Sequence, residues 1–265
     1  MVPVSLFDEI EIIKITRGRN NAAAAEQPEV TCDHPLVPAG EKNLAYRAAR
    51  LLLKEKNIRE RVRIHIAKRI PVGAGLGGGS SDAAAVLLGL NRLLRFNYSL
   101  QELEKISLSL GADVPFFIKA APARARGIGE RLSAIKHFPR LSMVILYPGF
   151  AVSTAWVYRN LRLKLTKQRL NNSINFSHLS GSLEEIRRLL VNDLETVTVR
   201  RYPKIGLLKE NLTRAGAIGS LMSGSGSSVF GVFDSRQRAE QALCRLREEE
   251  GTQAFLVQVL RQRRR

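Results

Sequence analysis

Cysteine, aromatic residues and acids are all scarce in this chain, and each shortage removes a class of function. Of 265 residues only two are cysteines, Cys32 and Cys244, far apart and in no paired motif. That excludes a disulfide-stapled secreted scaffold and a cysteine zinc site. A reducing cytoplasm or organelle matrix is the expectation, the cytoplasm if the cell is bacterial-type. No apolar run reaches bilayer-spanning length, and residues 1–17 carry acids early instead of the basic-then-apolar order of a secretion signal. No membrane partner is expected. Acids number 24 against 42 lysines and arginines, a formal net charge of +18. Such a field attracts anions. The basic residues are nevertheless scattered, densest at 59–69, 159–169 and 261–265, and aromatics at 6% leave few platforms for stacking bases. The balance favours a basic surface around a site for a small polyanion over a nucleic-acid binder.

Glycine, by contrast, is concentrated in one place. Pro71-Val72-Gly73-Ala74-Gly75-Leu76-Gly77-Gly78-Gly79-Ser80-Ser81-Asp82 holds five glycines within seven residues and runs into an alanine- and leucine-rich stretch. Ala83, Leu87, Leu90 and Leu94 recur at helical spacing, which predicts a helix capped by Ser80 or Ser81. A glycine loop feeding a helix N-terminus points free amides and a positive dipole end at whatever lies in the loop, a cradle for phosphate. No lysine precedes Ser80, so the loop is not an ordinary P-loop. Gly73, Gly75 and Gly78 fit the dinucleotide pattern only as any glycine-rich run does. The acids about 20 residues on, Glu102 and Glu104, fall in an amphipathic helix. The plain alternative is a tight strand-to-helix turn without a ligand.

Around this loop, helices alternate with short strands in two blocks, an α+β pattern. Strands are expected at 4–15, 30–32 and 62–66, where Val62, Ile64 and Ile66 alternate with polar residues, and a helix at 43–56. Arg17 to Pro28 reads as a loose connection. A further helix is expected at 100–110, with Gly111 in the C′ position that ends it. Pro115 should hold Val114 extended, leaving Asp113 in a rigid elbow before the apolar Phe116-Phe117-Ile118. A charge in such a setting needs a hydrogen bond or a function. The second block offers a glycine turn at 125–130, a strand at 142–147, a polar loop at 171–182 and helices at 183–194 and 207–215. A small-residue loop at 219–228 leads into a strand at 229–233, a helix at 236–250 and a last strand at 254–260.

Four stretches, in order, resemble the GHMP small-molecule kinases. They are Asn43-Leu44-Ala45-Tyr46-Arg47-Ala48-Ala49, the glycine loop itself, Leu110-Gly111-Ala112-Asp113-Val114-Pro115-Phe116-Phe117, and Ser223-Gly224-Ser225-Gly226-Ser227-Ser228-Val229-Phe230. The resemblance implies a two-domain α+β fold, with a ribosomal protein S5 domain 2-like unit at 1–125 and a ferredoxin-like unit at 126–265. It implies ATP and Mg2+ as cofactors and phosphoryl transfer to an alcohol. Residues 71–81 would bind the nucleotide, with Asn43 and Lys68 near its base and sugar and Gly224 and Ser225 beside its phosphates. Asp113 would be the catalytic acid–base residue, and no protein metal ligand is assigned. The resemblance is strongest to the branch whose acceptor is a small molecule bearing a cytidine diphosphate, with Tyr158 a candidate to stack on it. A monomer or weak homodimer is expected. Asn192-Asp193-Leu194-Glu195 resembles a family stretch whose job is expected to be structural; without the resemblance, Asn43 reads as a helix cap and Lys68 as a surface lysine.

Members of that family also open with a Pro-Ala-Lys-[Ile/Leu]-Asn strand, its lysine set against the catalytic aspartate, and a glycine-aspartate-glycine-tyrosine-histidine stretch. Neither occurs here. The expectation is therefore a chain that, as given, binds nucleotide but turns over slowly. Two other readings stay open: a GHMP kinase for mevalonate, homoserine or a sugar, and a protein that binds nucleotide or nucleic acid without catalysis.

Overall fold

The computed structural model describes residues 1–15, 27–56, 61–127, 129–161, 182–247 and 250–261. Val62, Ile64 and Ile66 point inward from β3 (Arg61–Ala67), fully buried as their alternation predicts. β3 is the middle strand of a sheet, antiparallel to β1 (Glu9–Ile15) and parallel to β2 (Glu29–Cys32), with Ile12 and Val30 both opposite Ile64. A parallel pair needs a crossover, and α1 (Leu44–Glu55) supplies it. α2 (Gly78–Leu93) packs beside α1, and Ala45, Ala48, Leu52, Ala83, Leu87 and Leu90 close the core with the strands. Each buried leucine contributes about 1.5–3 kcal/mol. α3 (Leu100–Ser107) starts on a reciprocal capping box between Ser99 and Glu102, and α4 (Val114–Lys119) packs on α2 and α3.

A hairpin of β4 (Ala123–Arg126) and β5 (Arg131–Ala134) leads out of this half. A boundary between residues 125 and 126 falls inside β4. The second half runs β6 (Ser142–Tyr147), α5 (Thr154–Asn160), α6 (Leu183–Leu189), α7 (Glu195–Arg201), α8 (Pro203–Arg214), β7 (Gly219–Met222), β8 (Val229–Phe233), α9 (Arg236–Leu246) and β9 (Gln253–Gln258). Its antiparallel sheet is ordered β7-β8-β6-β9, the split β-α-β-β-α-β arrangement of ferredoxin-like domains. One face packs on Ile205, Leu208, Leu212 and Ala239 of the helices, while Met143, Ile145 and Val257 line the other. Among the described residues no helix is long and apolar enough to cross a membrane.

Several local expectations are corrected. The strand expected over 4–15 begins only at Glu9. The residues before it cover β9: Ser5 donates to the Gln258 carbonyl at 3.0 Å, and Leu260 donates to that of Pro3 at 2.8 Å. Val2, Val4 and Leu6 pack on the second half, an alternation that satisfies an otherwise open sheet edge. α3 stops at Ser107 because the hydroxyls of Ser107 and Ser109 bond back to the Glu104 and Ile106 carbonyls. Gly111 is consequently not its left-handed cap. Val114 and Pro115 are not extended but open α4, since a proline ring fits the first turn, where no N–H is needed. The 183–194 helix breaks after Leu189, where Asn192 turns the chain by accepting from Leu194 N–H at 3.0 Å. The loose connection is outside the described residues from 16 to 26, as is the polar loop from 171 to 181.

Candidate active site

Neither serine caps α2. Gly77, at φ +71°, occupies the N-cap position and starts the helix ahead of both, and no side chain caps it. Ser81 N–H makes the first helical bond, to the Gly77 carbonyl at 2.9 Å. The amides of Gly78, Gly79 and Ser80 therefore donate to no described residue. Three such donors at the positive end of a 16-residue helix are what an anion would need.

The second loop, residues 223–228, closes directly on the first. Ser223 Oγ donates to the Gly75 carbonyl at 2.9 Å, and Ser228 N–H to that of Ala74 at 3.0 Å. Gly75, at φ +76°, tolerates no side chain: a Cβ would meet the Ser223 carbonyl and stand 2.7 Å from that of Gly226. Asn192 clamps the loop from outside, its Nδ2 donating to the Met222 and Gly224 carbonyls at 2.9 and 2.8 Å. Glu195 takes Met222 N–H at 2.6 Å and the Lys209 ammonium at 2.5 Å. Gly224 is exposed at the tip, whereas Ser225 is buried, its Oγ 2.8 Å from Thr154 Oγ1. The Asn192–Glu195 motif thus has the structural job its sequence suggested, and that job is to shape this loop.

Asp113 is exposed rather than held in an apolar setting, and no described donor reaches its carboxylate. It lies at the N-cap of α4. One turn on, the Phe117 ring packs against Gly77, with ring atoms 2.8 and 2.9 Å from where a Cβ would be. The β4–β5 turn borders it on the other side: a Cβ on Gly129 would be 3.8 Å from Asp113 Oδ1. Asp113 thus lies one helical turn along α4 from the ring that packs on the glycine loop.

Asn43 and Lys68 are both committed inside the protein. Asn43 caps α1, accepting from Ala45 N–H at 2.8 Å and donating to the Pro38 carbonyl at 2.9 Å. The Lys68 ammonium is buried between the carboxylates of Asp8 and Asp82, 2.9 Å from the latter. Burial pulls the lysine down, but the two acids outweigh it and hold it above its ordinary value. Burial drives Asp82 up to about 7 against the pull of Lys68, and nearby Asp8 adds to the rise. Sequence reasoning passed over Asp8 and Asp82; an aspartate five residues into a glycine-led helix was the available signal. Trp156 packs edge-on against Tyr202, while Tyr158 is 60% exposed.

Residues 43–120 match the N-terminal domain of the GHMP kinases and residues 175–251 their C-terminal domain. With the relatives below, these matches show that the chain belongs to the GHMP kinase family. The 4-diphosphocytidyl-2-C-methyl-D-erythritol kinase of Citrifermentans bemidjiense is 47% identical over 262 residues, covering 98% of this chain and 89% of that protein. The enzyme of the same name from Geobacter sp. strain M21 is 48% identical over 263 residues, with the same coverage. A crystal structure of 4-(cytidine 5'-diphospho)-2C-methyl-D-erythritol kinase aligns with TM-score 0.77 and 35% identity over 97% of this chain and 88% of that one. A homoserine kinase from Cytophaga hutchinsonii, 18% identical with TM-score 0.75 over 96% of this chain and 86% of its own, shares the fold.

Proposed function

We propose that the protein is an ATP-dependent kinase for the 2-hydroxyl of 4-diphosphocytidyl-2-C-methyl-D-erythritol, a step in non-mevalonate isoprenoid synthesis. The free amides of Gly78, Gly79 and Ser80 beside an unpaired Asp113 carboxylate carry this reading, because they match a polyanionic donor and an alcohol acceptor. Relatives close to half identical across nearly the whole chain support the acceptor.

Residues 71–81 wrap the triphosphate. Backbone donors suit it because they are fixed before the ligand arrives and need no reorganisation. Gly224 and Ser225 close the opposite wall, held by Asn192. Asn43 acts on the nucleotide side through the backbone it anchors, and Lys68 through the Asp8 and Asp82 carboxylates it joins. Asp113 orients the acceptor hydroxyl and takes its proton as the new oxygen–phosphorus bond forms and the bond from the γ-phosphorus to ADP breaks, ADP leaving. A magnesium ion bound there with the nucleotide would neutralise charge on the transferred group. Tyr158 offers an exposed ring for the cytosine.

The test is ADP release measured with the cytidine diphosphate alcohol, mevalonate and homoserine in parallel, the phosphorylated product being identified by phosphorus NMR. Transfer to the cytidine compound is expected. Transfer to mevalonate or homoserine instead would overturn the reading.

A further inference from the structure

Two carboxylates and one ammonium are sealed beneath the glycine loop. The Lys68, Asp8 and Asp82 side chains are only 4%, 2% and 6% exposed, so water does not screen them. Asp8 Oδ1 accepts from the N–H groups of Arg69 and Ile70 at 2.6 and 2.8 Å, the two residues that lead into Pro71, and its Oδ2 takes the Lys68 ammonium. Lys68 N–H in turn donates to Asp33 at 2.8 Å. The ammonium presses on the loop itself: it is 3.0 Å from where a Cβ on Gly78 would lie. Glycine at 78 therefore serves close approach and not an unusual φ.

We propose that Asp8, Lys68 and Asp82 are positioning residues for the phosphate loop, and that Asp82 takes up a proton when a polyphosphate binds there. With both acids ionised the cluster holds one uncompensated buried negative charge, which is costly. One proton neutralises it. Asp82 is the place for that proton, because Asp8 accepts from two backbone N–H groups besides Lys68, whereas among the described residues Asp82 accepts from Lys68 and otherwise meets the Asp8 carboxylate, with which it can share a proton. Its carboxyl is already pushed up to about 7, by burial first and by Asp8 as well. Asp82 also opens the second turn of α2, whose N-terminus carries the free amides. An anion arriving at that terminus repels the buried charge and draws a proton in. Facing Asp82 are Lys68 from the end of β3 and Asp8 from the segment before β1. Asp33, after β2, faces the Lys68 backbone, and Glu9 pairs with Arg69 on the exposed side at 2.7 Å. This inference rests on the nucleotide-binding reading of the loop.

The test is calorimetric titration of the purified protein with the magnesium complex of a non-hydrolysable ATP analogue. It is run near pH 7 in two buffers of different ionisation heat, which counts the protons taken up. Net uptake is expected in the wild type and its loss in Asp82→Asn. The wild type alone provides a second reading that depends on no variant: affinity for the analogue should weaken as pH rises through about 7. Asp8→Ala, which frees the Arg69 and Ile70 amides, should raise KM for ATP several-fold while leaving kcat nearly unchanged. Binding with no proton uptake by the wild type, or with equal uptake in a folded Asp82→Asn protein, would overturn the inference and leave the loop reading intact. Absence of any nucleotide binding by the folded wild type would overturn both.

Discussion

The Phe117 ring fills the space that a side chain on Gly77 would need. Asp113 and Phe117, four residues apart, lie on one side of α4, so this contact places the Asp113 backbone relative to the start of α2. Replacing Asp113 by Asn should lower kcat by roughly 10²–10⁴-fold, the usual worth of a general base. ATP affinity and melting temperature should hold, because no described residue bonds to this carboxylate. Parallel steady-state kinetics and thermal melts check both halves of the expectation, and a large drop in melting temperature would mark Asp113 as structural.

Gly75 and Gly79 make a matched pair. Alanine at 75 would combine a left-handed φ with a collision against the second loop. It should cost on the order of 1–3 kcal/mol or displace the loops. At Gly79 the nearest atom to a new Cβ is Leu44 Cδ1 at 3.8 Å and the backbone is helical. Alanine there should be neutral or stabilise by up to about 1 kcal/mol. Chemical denaturation of the two variants, with nucleotide binding measured alongside for Gly75→Ala, distinguishes them.

Asn192 touches the proposed nucleotide wall only through backbone. Asn192→Ala strips a donor from two carbonyls and should cost about 1–3 kcal/mol. Because the second loop loosens, KM for ATP should rise more than kcat falls. Initial-rate kinetics across ATP concentrations reads the split; an unchanged KM would mean that the loop does not border the nucleotide.

Asp82 also predicts how stability depends on pH. Its folded value of about 7 lies above that of an unfolded aspartate, so between about pH 4 and 7 the native state holds more protons than the unfolded one. This group's contribution is accordingly greatest in acid and falls as pH rises through that window, by at most about 1.4 kcal/mol per pH unit. The difference between wild type and Asp82→Asn in denaturant melts isolates it from the other groups. A difference independent of pH would contradict the assignment.

Much of the secondary structure was legible because local pattern decides it. The alternation at 62–66 had to be a strand with one buried face, and the alanine-leucine run after the glycine loop had to be a helix. Boundaries were less legible, since the Gly77 cap, the Asn192 turn and the back-bonding of Ser107 and Ser109 compete at close energies.

What the sequence determined by itself was chemical content: a glycine loop able to present amides, a second small-residue loop and an aspartate beside a proline-led apolar turn. Only the tertiary structure decided how those pieces meet. Gly75 needs its hydrogen only because the second loop lies on it, from 148 residues away in Ser223. Lys68 reads as a surface cation until Asp8, 60 residues earlier, and Asp82, 14 later, enclose it. Local propensity acts within a turn or two of chain. The charge balance of a buried cluster depends on which distant segments pack together, and no short window of sequence contains that.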